Sequence, residues 1–89
     1  MTETLSDTLT VRFFARLREE LGTEEMTVPA EPGLTAGAVL EQLASRGDAW
    51  AQLTGAQPVM IAVNQAMARE TTTVNAGDEL AFFPPVTGG

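Results

Sequence analysis

Leu9, Val11 and Phe13 are interleaved with Thr8, Thr10, Arg12 and Phe14. A period of two describes a half-buried strand with its apolar side chains on one face. The pattern then changes: residues 15–21 read as a short helical turn ended by Gly22, and residues 24–28 as a second strand closed by Pro29. These two strands are expected to pair as a hairpin. After Pro32-Gly33, Thr35 stands where a helix cap is needed, and Ala36, Val39, Leu40, Leu43 and Ala44 follow at helical spacing. Gly47 is the expected stop. Asp48 is a candidate cap for a further short turn in which Trp50 and Leu53 share a face, before Thr54-Gly55 breaks it. Trp50 reads as a lid on the core.

The second half returns to strands. Residues 59–63 form a continuous apolar run rich in β-branched side chains, followed by a turn at Asn64-Gln65 and a weaker extended stretch over residues 67–72. Asn75-Ala76-Gly77-Asp78 is a turn signal, and residues 79–83 make the last strand. The expected class is α+β: a mixed sheet of about five strands packed on one main helix. Residues 1–7 are polar and unpatterned and read as a flexible N-terminus, residues 8–83 as the domain, and residues 84–89 as an extended tail.

A chain of 89 residues has room for one domain and one modest core. It contains no run near the roughly 20 apolar residues of a membrane span and no secretory signal pattern, so the expected location is the cytoplasm. Twelve acidic against five basic residues give a net charge of −7, which disfavours nucleic acid and suits a basic partner. The chain has no His, Cys, Lys or Tyr. A Ser or Thr nucleophile therefore lacks a histidine or lysine base, and no autonomous activity is expected. The pairs Glu19-Glu20 and Glu24-Glu25 do not converge on either a helix or a strand, so no metal site is expected.

Strand parity points to a surface. If Leu9, Val11 and Phe13 face the core, Phe14 faces away; if Phe82 is inside, Phe83 is outside. These two phenylalanines, joined by Met67 near a strand edge, would make an apolar docking patch on the helix-free face. Directly after the last strand, Pro84 and Pro85 remove two amide donors and stiffen the exit. Gly88 and Gly89 have no Cβ, so a neighbouring surface can close around their backbone. From Pro84 to Gly89 the extended reach is about 20 Å. The reactive group of such a chain would be its terminal carboxylate.

Phe13-Phe14-Ala15-Arg16-Leu17-Arg18-Glu19, then Val63-Asn64-Gln65, then Gly77-Asp78-Glu79-Leu80-Ala81-Phe82-Phe83-Pro84-Pro85-Val86-Thr87-Gly88-Gly89 resemble the MoaD/ThiS family of ubiquitin-like sulfur carriers, specifically the small subunits of molybdopterin synthase. The last thirteen residues are the most specific part. The resemblance implies a ubiquitin-like β-grasp fold. It implies that a ubiquitin-activating-type enzyme uses ATP to adenylate Gly89, and that a persulfide donor then converts it to a thiocarboxylate. No cofactor is implied for the isolated chain. The thiocarboxylate would enter the large synthase subunit and give sulfur to cyclic pyranopterin monophosphate, in an assembly of two small and two large subunits. By the same resemblance Thr87 and Gly88 occupy the partner's channel, Pro84, Pro85 and Val86 stiffen the approach, and Phe14, Met67 and Phe83 dock. A sulfur carrier for thiamine thiazole synthesis and a ubiquitin-like protein modifier are the alternatives.

Overall fold

The computed structural model describes residues 7–55 and 59–85. The alternating segment forms β1 (Thr8–Phe13), with Leu9, Val11 and Phe13 buried and Thr10 and Arg12 half-buried on the opposite side. The chain turns into α1 (Ala15–Leu21), whose Leu17 and Leu21, four apart, pack into the core. Gly22 ends this helix in the left-handed conformation, φ 65°. The helix is followed by β2 (Glu25–Pro29), which pairs antiparallel with β1. Pro29 belongs to the strand itself and does not merely close it, because β2 is a sheet edge where a missing amide donor leaves no partner unsatisfied.

The main helix, α2 (Ala36–Ala44), starts where Thr35 accepts a hydrogen bond from the Ala38 amide at 3.2 Å. It ends before Gly47: the Arg46 and Gly47 amides donate to Leu43 and Ala44, tightening the last turn. A 3₁₀ helix (Asp48–Thr54) follows, and here Asp48 is not the cap. Gly47 takes the cap position, and Asp48 is the first helical residue with φ 51° and no capping hydrogen bond. Trp50 does lie on the core, edge-on to Phe13 with ring centroids 5.5 Å apart and beneath Arg46 at 4.7 Å.

The remaining strands are β3 (Met60–Val63), β4 (Ala66–Ala68) and β5 (Glu79–Phe83). β4 is shorter than its extended pattern suggests. At Arg69 the backbone turns back, with the Arg69 amide donating to the Thr72 hydroxyl and the Thr72 amide to the Arg69 carbonyl, both at 3.0 Å.

The five strands form one mixed sheet in the order β2-β1-β5-β3-β4, with β1 and β5 parallel and the other neighbours antiparallel. One face carries Leu9, Val11, Phe13, Val28, Ile61, Leu80 and Phe82, and both helices bury their leucines against it. This topology, with the last strand central and parallel to the first, is the ubiquitin-like β-grasp. No helix among the described residues is long and apolar enough to cross a membrane. The N-terminal segment expected to be flexible lies outside the described residues except for Asp7, whose carbonyl accepts from the Ala30 amide at 2.8 Å.

Candidate functional site

The sheet register defines the helix-free face. Met67 stands opposite Ala62, Ala62 opposite Ala81, Ala81 opposite Arg12, and Arg12 opposite Glu25, so these five residues form one row across all five strands. Directly opposed residues in a sheet share a face. The row is low in its middle, where two alanines sit side by side, and higher at both ends. The next row holds Met60 opposite Phe83.

The result is a groove of about 640 Å³ floored by Ala62 and Ala81 and walled by Phe14, Phe83 and Pro84, with Arg12, Glu79 and Gln65 also lining it. Phe14 is 41% exposed; its amide donates to the Phe82 carbonyl at 3.3 Å, which ties the end of β1 to the end of β5. Phe83 and the two prolines after it are half-buried. Met67, 62% exposed, stands on the same face one strand beyond the floor and does not line the groove.

The polar side of the groove is organised around Arg12. Its guanidinium donates to Glu79 at 3.0 Å, lies 3.7 Å from Glu25 and sits 5.9 Å from the centre of the Phe14 ring. The hydrogen bond to Glu79 is the main influence raising the Arg12 pKa above its usual value; desolvation opposes it and the charges of Glu79, Glu25 and Glu24 add to it. Arg12 is therefore a permanent cation, flanked by two carboxylates and placed beside an aromatic wall.

A second polar cluster fixes the entry to β5. Asn64 donates to Asp78 at 3.1 Å and accepts from the Glu79 amide at 3.0 Å, while its own amide donates to the Glu79 carbonyl at 2.7 Å. The two-residue turn between β3 and β4 has positive φ at both Asn64 (52°) and Gln65 (70°), as a tight hairpin of this length requires. Among the described residues no group of three or more acidic, His or Cys side chains is arranged to hold a metal ion.

The structure thus brings Phe14, Phe83 and Pro84 together, sets Pro85 immediately after them, and leaves Met67 apart on the same face. Val86, Thr87, Gly88 and Gly89 lie outside the described residues. Arg12, Gln65, Ala62, Ala81 and Glu79 were not among the residues singled out from the sequence for the site. Parity places Arg12 on the face of Phe14, and a glutamine in a turn that favours glycine marks Gln65, so both carried a readable signal.

The family model described as ThiS matches residues 11–89. The chain belongs to the ThiS family. This ThiS-family chain is 43% identical over 81 residues to the molybdopterin synthase sulfur carrier subunit of Haemophilus influenzae, covering 91% of this chain and 99% of that one. It is 40% identical over 79 residues to the subunit of the same name from Escherichia coli, covering 89% and 96%. Among solved structures, small archaeal modifier protein 1 of Haloferax volcanii superimposes with a TM-score of 0.76 at 28% identity, over 89% of this chain and 98% of that one.

Proposed function

We propose that this ThiS-family protein is the sulfur carrier subunit of molybdopterin synthase, working in the cytoplasm. The observation that carries the reading is the groove at the root of the tail: Pro84 lines it together with Phe14 and Phe83, so an enzyme that receives the tail also meets this surface. The two bacterial relatives support the same role through the name they bear. Neither is named for thiamine synthesis or for protein modification, so those two alternatives have less behind them.

In this reading Gly89 is the reacting residue. Its carboxylate, with a free pKa of about 3.5, is ionised at neutral pH and resists acyl transfer. A ubiquitin-activating-type enzyme spends ATP to make the acyl-adenylate, which has a good leaving group. A persulfide donor then attacks the acyl carbon and expels AMP, leaving an acyl disulfide. A thiol cleaves its S–S bond, being oxidised to a disulfide as the thiocarboxylate is released, and the thiocarboxylate is threaded into the large synthase subunit, where it reacts with cyclic pyranopterin monophosphate. Thr87 and Gly88 lie in the partner's channel, Pro84, Pro85 and Val86 stiffen the approach, and Phe14, Phe83 and Met67 dock. Two small and two large subunits make the assembly.

The test is the mass of the C-terminal peptide after incubation with activating enzyme, ATP, persulfide donor and a thiol reductant. One oxygen-to-sulfur exchange is expected, and an unchanged mass with active partners refutes the carrier reading. Adding the large subunit and cyclic pyranopterin monophosphate should then yield molybdopterin. Its absence refutes the assignment to this synthase.

A further inference from the structure

Among the described residues, four that are not glycine have positive φ: Ala15, Asp48, Asn64 and Gln65. Two of them, Ala15 and Gln65, line the same groove, and Asn64 adjoins it. Left-handed backbone is unfavourable for residues with a Cβ, and such outliers gather where a structure holds a side chain for use. Asn64 has a local reason for its conformation, because asparagine tolerates it and its side chain bridges Asp78 and the Glu79 amide. Gln65 has none. Glycine is the residue that the second position of such a turn favours, and the Gln65 amide has no hydrogen-bond partner among the described residues.

We infer that Gln65 is a specificity-determining docking residue: it is held against its backbone preference so that its amide hydrogen-bonds the main chain of the large synthase subunit where that subunit enters the groove. Asn64 is its positioning residue. A primary amide offers both a donor and an acceptor, the complement of an exposed peptide bond. The rest of the groove fits the same occupant. Ala62 and Ala81 leave room for an apolar side chain beside Phe14 and Phe83, and the volume of about 640 Å³ suits several residues of a partner chain. The groove is continuous with Pro84, so the protein that takes the tail is the one that covers it. The inference rests on the sulfur-carrier reading and names a contact within it.

The experiment compares wild type, Q65G and Q65A for thermal stability and for affinity to the large subunit by calorimetry. Q65G relieves the backbone, so its melting temperature should rise while its affinity falls about five-fold, the scale of one hydrogen bond. Q65A keeps a Cβ at positive φ and should lose the same affinity without the gain in melting temperature. A role confined to the turn would move stability and leave affinity alone. Wild-type binding matched by either variant overturns the inference and leaves the carrier reading intact. Failure of the wild type to bind the large subunit overturns both.

Discussion

Gly37, inside α2, donates its amide to the Glu70 carbonyl at 2.8 Å, so close that a Cβ at residue 37 would lie 2.9 Å from the Glu70 Cβ and 3.0 Å from its backbone oxygen. Alanine in a helix interior is ordinarily better than glycine by about 1 kcal/mol. Here the contact is with backbone and a Cβ, neither of which is the movable end of a side chain. Gly37→Ala is expected to destabilise by about 1–3 kcal/mol, read as a lower denaturant midpoint. A higher midpoint would show that the segment carrying Glu70 gives way.

Phe82 and Phe83 are neighbours in β5 with opposite duties. Phe82 is fully buried, its ring 6.1 Å from that of Phe13. Phe82→Ala should cost about 3–5 kcal/mol in chemical denaturation. Phe83→Ala should leave the fold largely intact and weaken binding to the large subunit by about ten-fold or more, as truncation of an aromatic anchor does. Unfolding of the Phe83 variant would mean that its side chain serves the core.

Removing Gly89 separates docking from chemistry. The shortened chain should bind the large subunit through the groove and transfer no sulfur. Turnover by the shortened chain in a molybdopterin assay would end the carrier mechanism.

Arg12→Gln removes the cation between Glu79 and Glu25 while keeping a side chain of similar reach. The ion pair is partly exposed and thus screened by salt. The stability gap between wild type and variant should shrink as sodium chloride is added during urea titrations. A gap that stays constant across salt would assign the role of Arg12 to packing of its alkyl stem against Phe14 instead of to charge.

Much of the fold was written in local pattern. Alternation in residues 8–13 placed Leu9, Val11 and Phe13 inside, the helical spacing from Ala36 to Ala44 gave α2, and the Thr35 hydroxyl caps it as its position suggests. What escaped was non-local or depended on backbone conformation. Arg12 finds Glu79 across 67 residues of chain, which no window of sequence displays. Ala62 and Ala81 are unremarkable until the register sets them side by side. Asp48 has the chemistry of a cap, but Gly47 takes the turn that places it one residue too late. The stretch after Met67 keeps an extended composition while the Thr72 hydroxyl folds it back.

β5 lies between β1 and β3, hydrogen-bonded to both. Without it the sheet falls into two hairpins, β1 with β2 and β3 with β4, that share no edge, and Phe13 loses its packing against Phe82. Joining the two pairs into one sheet therefore requires residues 79–83. Pro84 follows β5 directly, so the segment that begins there leaves from the one strand on which closure of the sheet depends.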